Sequence, residues 1–338
     1  MTTKFDIDSV DFTIFLIGKI NNNLLELPYA LNSIHPKASD ELPCSNDEEV
    51  CTYNDLYEFI DKNGEFRDKL EIQTGKLSPC VICSKHSYTA GSRSNDNISY
   101  DCEQANHLYA IRSMLCHAEE ISDLMNTKEH FEFIDPFFLN KKNIYAASIG
   151  YATGTDLLGL LQYFAMNDST FPIEKLEMLK IDNQAEYWKE TADFVENVII
   201  EYADLKFDFD THHYDENNRD FDKRIDVFTL SYLVNEINEN QINEIIQTIE
   251  QLASDNFLII INDFQHSTVD DKKNRIKREL SHRFNLKNKQ SVNYIVDYNN
   301  RIYGSPCKFS GIKPKEVLKW FGMKLYKKSS MLVMEFSR

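Results

Sequence analysis

The sequence predicts an α/β protein. A mostly parallel sheet with helices on both faces follows a mainly helical N-terminal domain. Three observations predict it. From residue 143 onward, short apolar runs alternate with longer amphipathic ones, the rhythm of a parallel sheet whose crossovers are helices. Before about residue 140 that rhythm is absent and the recognisable pattern is helical. At the junction, Ile144–Phe164 reads as a buried strand, a turn of small residues and an apolar helix in direct succession.

In the N-terminal part, Asp11–Leu27 carries Phe15, Leu16, Ile20, Leu24 and Leu25 on one helical stripe, and Pro28 ends it. His35–Glu49 reads as a loop, Tyr53–Lys62 as a short helix, and Ser78–Ser99 as turn-rich. Cys102–Thr127 is amphipathic, with Leu108, Ile111, Leu115 and Leu124 among its apolar positions. Residues 1–138 are therefore expected to form a helical domain, and 139–338 the sheet domain.

The expected strands of the second part are Tyr145–Ile149, Leu176–Ile181, Val198–Tyr202, Ile225–Leu230 and Phe257–Ile261, with a closing pair at Lys324–Tyr326 and Met331–Phe336. The expected helices are Asp156–Ala165, Gln184–Val195, Glu236–Ala253 and Asp270–Arg283. Asp208–Arg224, with His212 and His213, is dense in charge and reads as a solvated loop.

The glycine turn carries the chemistry. Gly150, Ala152 and Gly154 are spaced at i, i+2 and i+4. With no side chain, or only a methyl, a ligand can approach the backbone, and the helix that follows aims its free N–H groups at the same place. A lone glycine turn also serves dinucleotide-binding folds or a simple strand-to-helix connection. Ser148-Ile149-Gly150-Tyr151-Ala152-Thr153-Gly154 resembles motif I of the class I S-adenosylmethionine-dependent methyltransferases, an acidic residue, one spacer and Gly-x-Gly-x-Gly. Ser148 stands at the acidic position and Ala152 at the middle glycine. The resemblance spans roughly residues 140–338 and implies a Rossmann-like sheet that binds S-adenosylmethionine.

Carried onto this chain, the resemblance assigns further residues. Ser148, Gly150, Ala152 and Gly154 would line the cofactor, with Asp156 able to replace the missing acid. Asp182, at the end of the second strand, would accept hydrogen bonds from the ribose hydroxyls. Asp204 would follow the third strand and meet the adenine amino group. Asp226–Glu236 is similar to motif IV and would bring Ser231 and Tyr232 to the reacting methyl group, while Glu236 also fits a first-turn helix acid. Asn262-Asp263-Phe264 would face substrate, and Tyr187 and Trp188 would pack on adenine or anchor a helix. The N-terminal domain would cap the cofactor and shape the acceptor pocket.

The resemblance implies a methyltransferase whose acceptor is a small molecule or a protein. Rival readings are a methyltransferase-fold scaffold without activity, a dinucleotide or nucleotide-sugar enzyme, and an RNA methyltransferase recruited by a partner. A net charge of −17 disfavours broad nucleic-acid binding, although Lys272–Arg278 concentrates basic residues. No apolar run is long enough to span a membrane, and the acidic N-terminus lacks a signal-peptide core. Seven cysteines, an odd number, fit a reducing compartment, the cytoplasm or nucleus. Cys80 and Cys83, with His86, Cys102, His107, Cys116 and His117 downstream, lack a second Cys-x-x-Cys, so buried thiols are expected and no metal site.

Overall fold

The structure is a computed structural model that describes residues 4–26, 106, 109–127, 132–214, 223–297 and 326–338. The expected helix at 53–62 and the loops at 35–49 and 78–99 lie outside these residues, as do Cys80, Cys83 and Cys102. The chain divides into two compact units that interleave in sequence. One comprises Met1–Leu115, Glu186–Asp204 and Asp297–Leu325, and the other Cys116–Ala185, Leu205–Val296 and Tyr326–Arg338.

In the first unit, the described residues form β1 (Phe5–Asp6), α1 (Val10–Glu26), a π-helical turn over Ala110–Met114, α5 (Ala185–Tyr202) and β4 (Ala203–Asp204). Ser9 Oγ accepts the Phe12 N–H at 3.1 Å and so caps α1. Phe15 on α1 packs its ring against Phe5 and Tyr202, and Lys19 sits over the Tyr202 ring. Strands β1 and β4 pair in parallel.

Helix α5 corrects an expectation. The run Val198–Tyr202 is β-branched and aromatic, and was expected as the third strand; it is the last turn of an 18-residue helix. Trp188, Thr191, Ala192, Val195 and Ile199 are buried at helical spacing, and this continuous stripe overrides the local β-propensity. Trp188 anchors the helix against Tyr109, while Tyr187 is exposed.

The second unit contains α2 (Leu115–Met125, its first residue in the other unit), α3 (Ile134–Phe138), β2 (Asn143–Ile149), α4 (Thr155–Met166), β3 (Lys175–Ile181) and β5 (Asp208–His213). It continues with β6 (Ile225–Ser231), α6 (Glu239–Leu252), β7 (Ala253–Phe264), α7 (Ser267–Ser281), β8 (Asn285–Asp297) and β9 (Tyr326–Ser337). The third strand of the sheet is therefore β5, inside the segment expected to be a loop. It registers Lys175–Lys180 against Asp208–His213. The expected closing pair is one continuous strand, β9, and β8 is a strand where none was expected.

Among the described residues the sheet has seven strands in the order β5-β3-β2-β6-β7-β9-β8. Strands β5, β3, β2, β6 and β7 run parallel and β9 runs antiparallel to β7. The fold is thus a Rossmann-like, mostly parallel sheet. Its first five strands follow the 3-2-1-4-5 order of the doubly wound dinucleotide fold, and the antiparallel β9 beside β7 departs from it.

Alternation sorts the strand residues between two faces. Ala147, Ile149, Phe228, Leu230, Ile259, Ile261, Met334 and Phe336 form one core with Ile242, Ile246 and Ile249 of α6 and Val269, Ile276 and Leu280 of α7. The opposite face carries Ser148 and Thr229, register partners on β2 and β6, and is covered by α4. Every residue from Thr155 to Phe164 on α4 is buried, because α2 lies against its other side. The contact is close at Gly159, where an added Cβ would stand 2.9 Å from Ile121 Cβ and 3.0 Å from the Ala118 carbonyl oxygen.

This packing generates a prediction. Alanine has a helix propensity about 1 kcal/mol better than glycine, but overpacking against a backbone carbonyl costs about 1–3 kcal/mol. Gly159→Ala should therefore lower stability, read as a lower denaturation midpoint with an unchanged slope. A stabilised Gly159→Ala protein would show that α2 and α4 are not in this contact.

Candidate functional site

Strand β2 has β3 on one side and β6 on the other, so the chain changes winding direction at β2. In such sheets a crevice opens beyond the carboxyl ends of the strands at that point. The residues that follow β2, β3, β6 and β7 meet there.

The turn after β2 has the backbone that its composition anticipates. Gly150 and Gly154 have φ of +78° and +91°, and Ala152 has φ of +46°. The left-handed region costs a residue with a Cβ roughly 1–2 kcal/mol. At Ala152 a hydrogen bond compensates, since its N–H donates to Asp182 Oδ2 at 2.9 Å. Asp182 Oδ1 accepts the Gln184 N–H at 2.8 Å. Asp182 thus fastens the turn of β2 to the end of β3, and each carboxylate oxygen keeps a second lone pair. Partial burial raises its pKa, against the lowering effect of the two N–H donors. Helix α4 starts from Gly154 with no side-chain cap. Thr153 is fully buried, and its hydroxyl has no hydrogen-bond partner among the described residues.

Beneath the turn, Ser148 and Asp156 are buried together. Ser148 Oγ donates to Asp156 Oδ2 at 2.6 Å, and Ser231 Oγ donates to Asp156 Oδ1. The nearby Thr229 hydroxyl donates to the Ala147 carbonyl oxygen at 3.5 Å. Two hydroxyls, one from each of two adjacent strands, therefore converge on one acid of α4. Burial raises the Asp156 pKa, and the hydroxyl donors oppose the rise. Asp156 lies under the crevice floor, hydrogen-bonded to the Ser148 that stands at the acidic position of the motif.

The end of β6 holds the two residues expected at the reacting methyl group. Tyr232 has φ of +57° and is buried at 6% exposure. Its ring stacks on His117 at 3.6 Å between centroids and meets Phe264 edge-on. Its hydroxyl donates to Glu120 Oε2 at 2.6 Å and lies 2.9 Å from Ser329 Oγ. Tyr294 and Asn262 donate to the same Glu120 oxygen, at 2.9 and 3.1 Å. Tyr232 and Ser231 are expected to face the methionine part of the cofactor or the acceptor; in the structure their hydroxyls are hydrogen-bonded to Glu120 and Asp156. Glu120 and Ser329, more than ninety residues from Tyr232 in sequence, and Tyr294 were not anticipated as neighbours of the site.

Asp204 corrects a second expectation. It precedes the third strand instead of following it, and is an exposed residue of β4 paired with β1. The carboxyl end of the third strand is His213, followed by Tyr214, which packs against the sheet core. Among the described residues no cluster of His, Cys, Asp and Glu could hold a metal ion. Cys116 is buried, and His212 lies 3.3 Å from Glu177.

Helix α6 begins at Glu239, capped by Asn238 in a box with Gln241. Glu236 consequently belongs to the loop between β6 and α6 and is not a helix acid. Its side chain reaches solvent, yet desolvation by the surrounding wall, with the charges of Asp263 and Asp182, pushes its pKa up to about 7. Lys272 and Lys273, the first cations of the basic run on α7, turn inward. Lys272 Nζ donates to carbonyls of the same loop, and Lys273 Nζ to Ser330. That removes them from any phosphate-binding face. A surface hollow lined by Lys142, Phe171, Glu174 and Lys206 lies at the opposite, amino-terminal end of the sheet. No described helix is long and apolar enough to cross a membrane.

Two predictions follow from these carboxylates. Asp156→Ala strands the Ser148 and Ser231 hydroxyls and should cost about 2–4 kcal/mol in chemical denaturation. Asp156→Asn should cost much less, because an amide accepts and donates and the hydroxyls can rotate to match. Equal losses would contradict the hydroxyl cluster. For Glu236, the folded protein holds its proton up to about pH 7, while an unfolded chain releases it near 4.5. The folded state then binds more protons, so this residue makes stability fall as pH rises from about 4.5 to 7. Glu236→Gln should flatten that slope in melting curves taken across the window; an unchanged slope would refute it.

No protein-family model and no curated protein matches the chain. Solved structures are similar to it at low scores. The plantazolicin methyltransferase BpumL in complex with SAH is 12% identical with a TM-score of 0.35, over 83% of this chain and 100% of that one. Precorrin-6y C5,15-methyltransferase from Geobacter metallireducens is 10% identical with a TM-score of 0.34, over 61% and 85%. A SAM-dependent methyltransferase from Methanosarcina mazei is 10% identical with a TM-score of 0.35, over 58% and 94%.

Proposed function

We propose that the chain binds S-adenosylmethionine in the crevice beyond β2 and transfers its methyl group to a small molecule or a protein. The observation that carries this reading is the union of the Gly150–Gly154 turn with Asp182 at the point where the sheet changes winding direction. The residues fit such a ligand. The left-handed glycines clear the backbone for close approach, and the uncapped start of α4 offers N–H groups. Asp182 keeps lone pairs for ribose hydroxyls, and the buried Thr153 hydroxyl is available as a further polar partner. The antiparallel β9 beside β7 disfavours a dinucleotide enzyme with six parallel strands.

When bound, the cofactor supplies a methyl group already activated by its positively charged sulfur. The chain's own task is to hold an acceptor in line and keep water out. The rigid group of Tyr232, Tyr294, Asn262 and Glu120 at the ends of β6 and β7 suits that positioning role. Glu236, titrating near neutrality, is suited to take a proton from the acceptor. A second reading, a binding protein without transfer, draws on the engagement of the Ser231 and Tyr232 hydroxyls with Asp156 and Glu120. Turnover of labelled cofactor with metabolite and protein pools separates the two.

Calorimetric titration with S-adenosylmethionine tests the binding site. Gly150→Val, in a left-handed backbone and against the Leu233 side chain, should abolish binding. Asp182→Asn should weaken it by roughly 1.5–3 kcal/mol, the value of a hydrogen bond to a charged group. Folded variants with full affinity would overturn the site, and tight binding of a nicotinamide dinucleotide instead would reassign it.

A further inference from the structure

The loop between β6 and α6 borders the crevice. It opens with Tyr232 in a left-handed conformation and then places the Leu233 side chain under the glycine turn, 3.0 Å from where a Gly150 Cβ would stand. It reverses through Glu236 N–H and Ile237 N–H, which both donate to the Leu233 carbonyl, at 2.9 and 3.2 Å. No part of it belongs to a helix or strand, so its shape depends on tertiary contacts.

Those contacts come from two places. Asp263 Oδ2, at the end of β7, accepts the Asn235 N–H at 2.9 Å. Lys272 Nζ, on the second turn of α7, donates to three carbonyls of the loop, Val234 at 3.2 Å, Asn235 at 3.2 Å and Ile237 at 2.7 Å. An ammonium has three donors and no acceptor. Here all three are spent on one five-residue segment, and each bond is charge-assisted. The neighbouring Lys273 points elsewhere, to the Ser330 carbonyl and hydroxyl at 2.8 and 2.7 Å.

We infer that Lys272 is a positioning residue of the cofactor site: its ammonium fixes the Leu233–Ile237 loop and, through Leu233, supports the Gly150 turn in its ligand-ready form. The inference rests on the cofactor reading given above. It assigns to a side chain that touches no ligand a share of the affinity, through preorganisation. A free loop would have to order when ligand binds, and that cost would be subtracted from binding.

The test compares wild type, Lys272→Met, Lys272→Arg and Lys273→Met. S-adenosylmethionine affinity is read by calorimetry, and amide hydrogen exchange is read over residues 233–237. Lys272→Met should lose protection in the loop and bind about tenfold more weakly, a 1.4 kcal/mol change. Lys272→Arg, which keeps charge and donors, should recover part of both. Lys273→Met should lower the melting temperature and leave affinity near that of wild type. Lys272→Met with unchanged affinity, or an equal loss of affinity in Lys273→Met, would overturn the inference. If Lys272→Met does not fold, Lys272→Gln is read by the same two measurements and the same criteria. A wild-type protein that does not bind S-adenosylmethionine would overturn the cofactor reading itself, and the inference with it.

Discussion

The buried carboxylate of Asp156 is the interaction on which the crevice depends. A carboxylate removed from water is costly unless its lone pairs find donors, and here the Ser148 and Ser231 hydroxyls donate to it, one to each oxygen. These two sit on adjacent strands, β2 and β6, and the acid itself starts α4. One residue therefore ties together the two strands at the winding switch and the helix that points at it. The left-handed turn above has little freedom once its two ends are held in this way. Asp182 applies the second clamp from β3, through the Ala152 N–H.

The same economy governs the far side of the crevice. Glu120 on α2 gathers Tyr232 from the end of β6, Asn262 from β7 and Tyr294 from β8. Burial and the nearby Glu120 charge hold both tyrosines well above their ordinary pKa, so they remain hydrogen-bond donors. Lys272 and Asp263 then set the loop between β6 and α6 from opposite ends of its polar backbone. The walls consist of irregular segments, and each is fixed by a charged group with several partners. Charge-assisted hydrogen bonds suit this task because they impose direction as well as energy.

Much of the sheet was legible in the sequence. The alternation of strands and helices gave β2, β3, β6 and β7 in nearly their observed places, and the glycine spacing located a turn whose φ values are indeed positive. Asp182 was legible as a strand-end acid. What could not be read were features decided by distant partners. Val198–Tyr202 has strand-like residues, but its buried stripe continues that of Trp188 and Val195 and makes it helix. With that strand gone, Asp204 lost its assigned place. Asp208–His213 has charged residues because β5 is an edge strand of the described sheet, so its composition resembles a loop. Ser231 and Tyr232 were correctly placed at a strand end. Their hydroxyl partners, Asp156 and Glu120, lie 75 and 112 residues away, and no local pattern reveals which way such a hydroxyl turns.

The most direct measurement is a crystal structure of the protein grown with saturating S-adenosylhomocysteine. The ligand is predicted to lie beyond the carboxyl end of β2, its ribose hydroxyls on Asp182 and its amino-acid end over the Gly150–Gly154 turn, with the Ser148–Asp156–Ser231 hydrogen bonds intact beneath it. Ligand bound at another place on the sheet, or crystals that exclude it at saturating concentration, would contradict the assignment of this crevice.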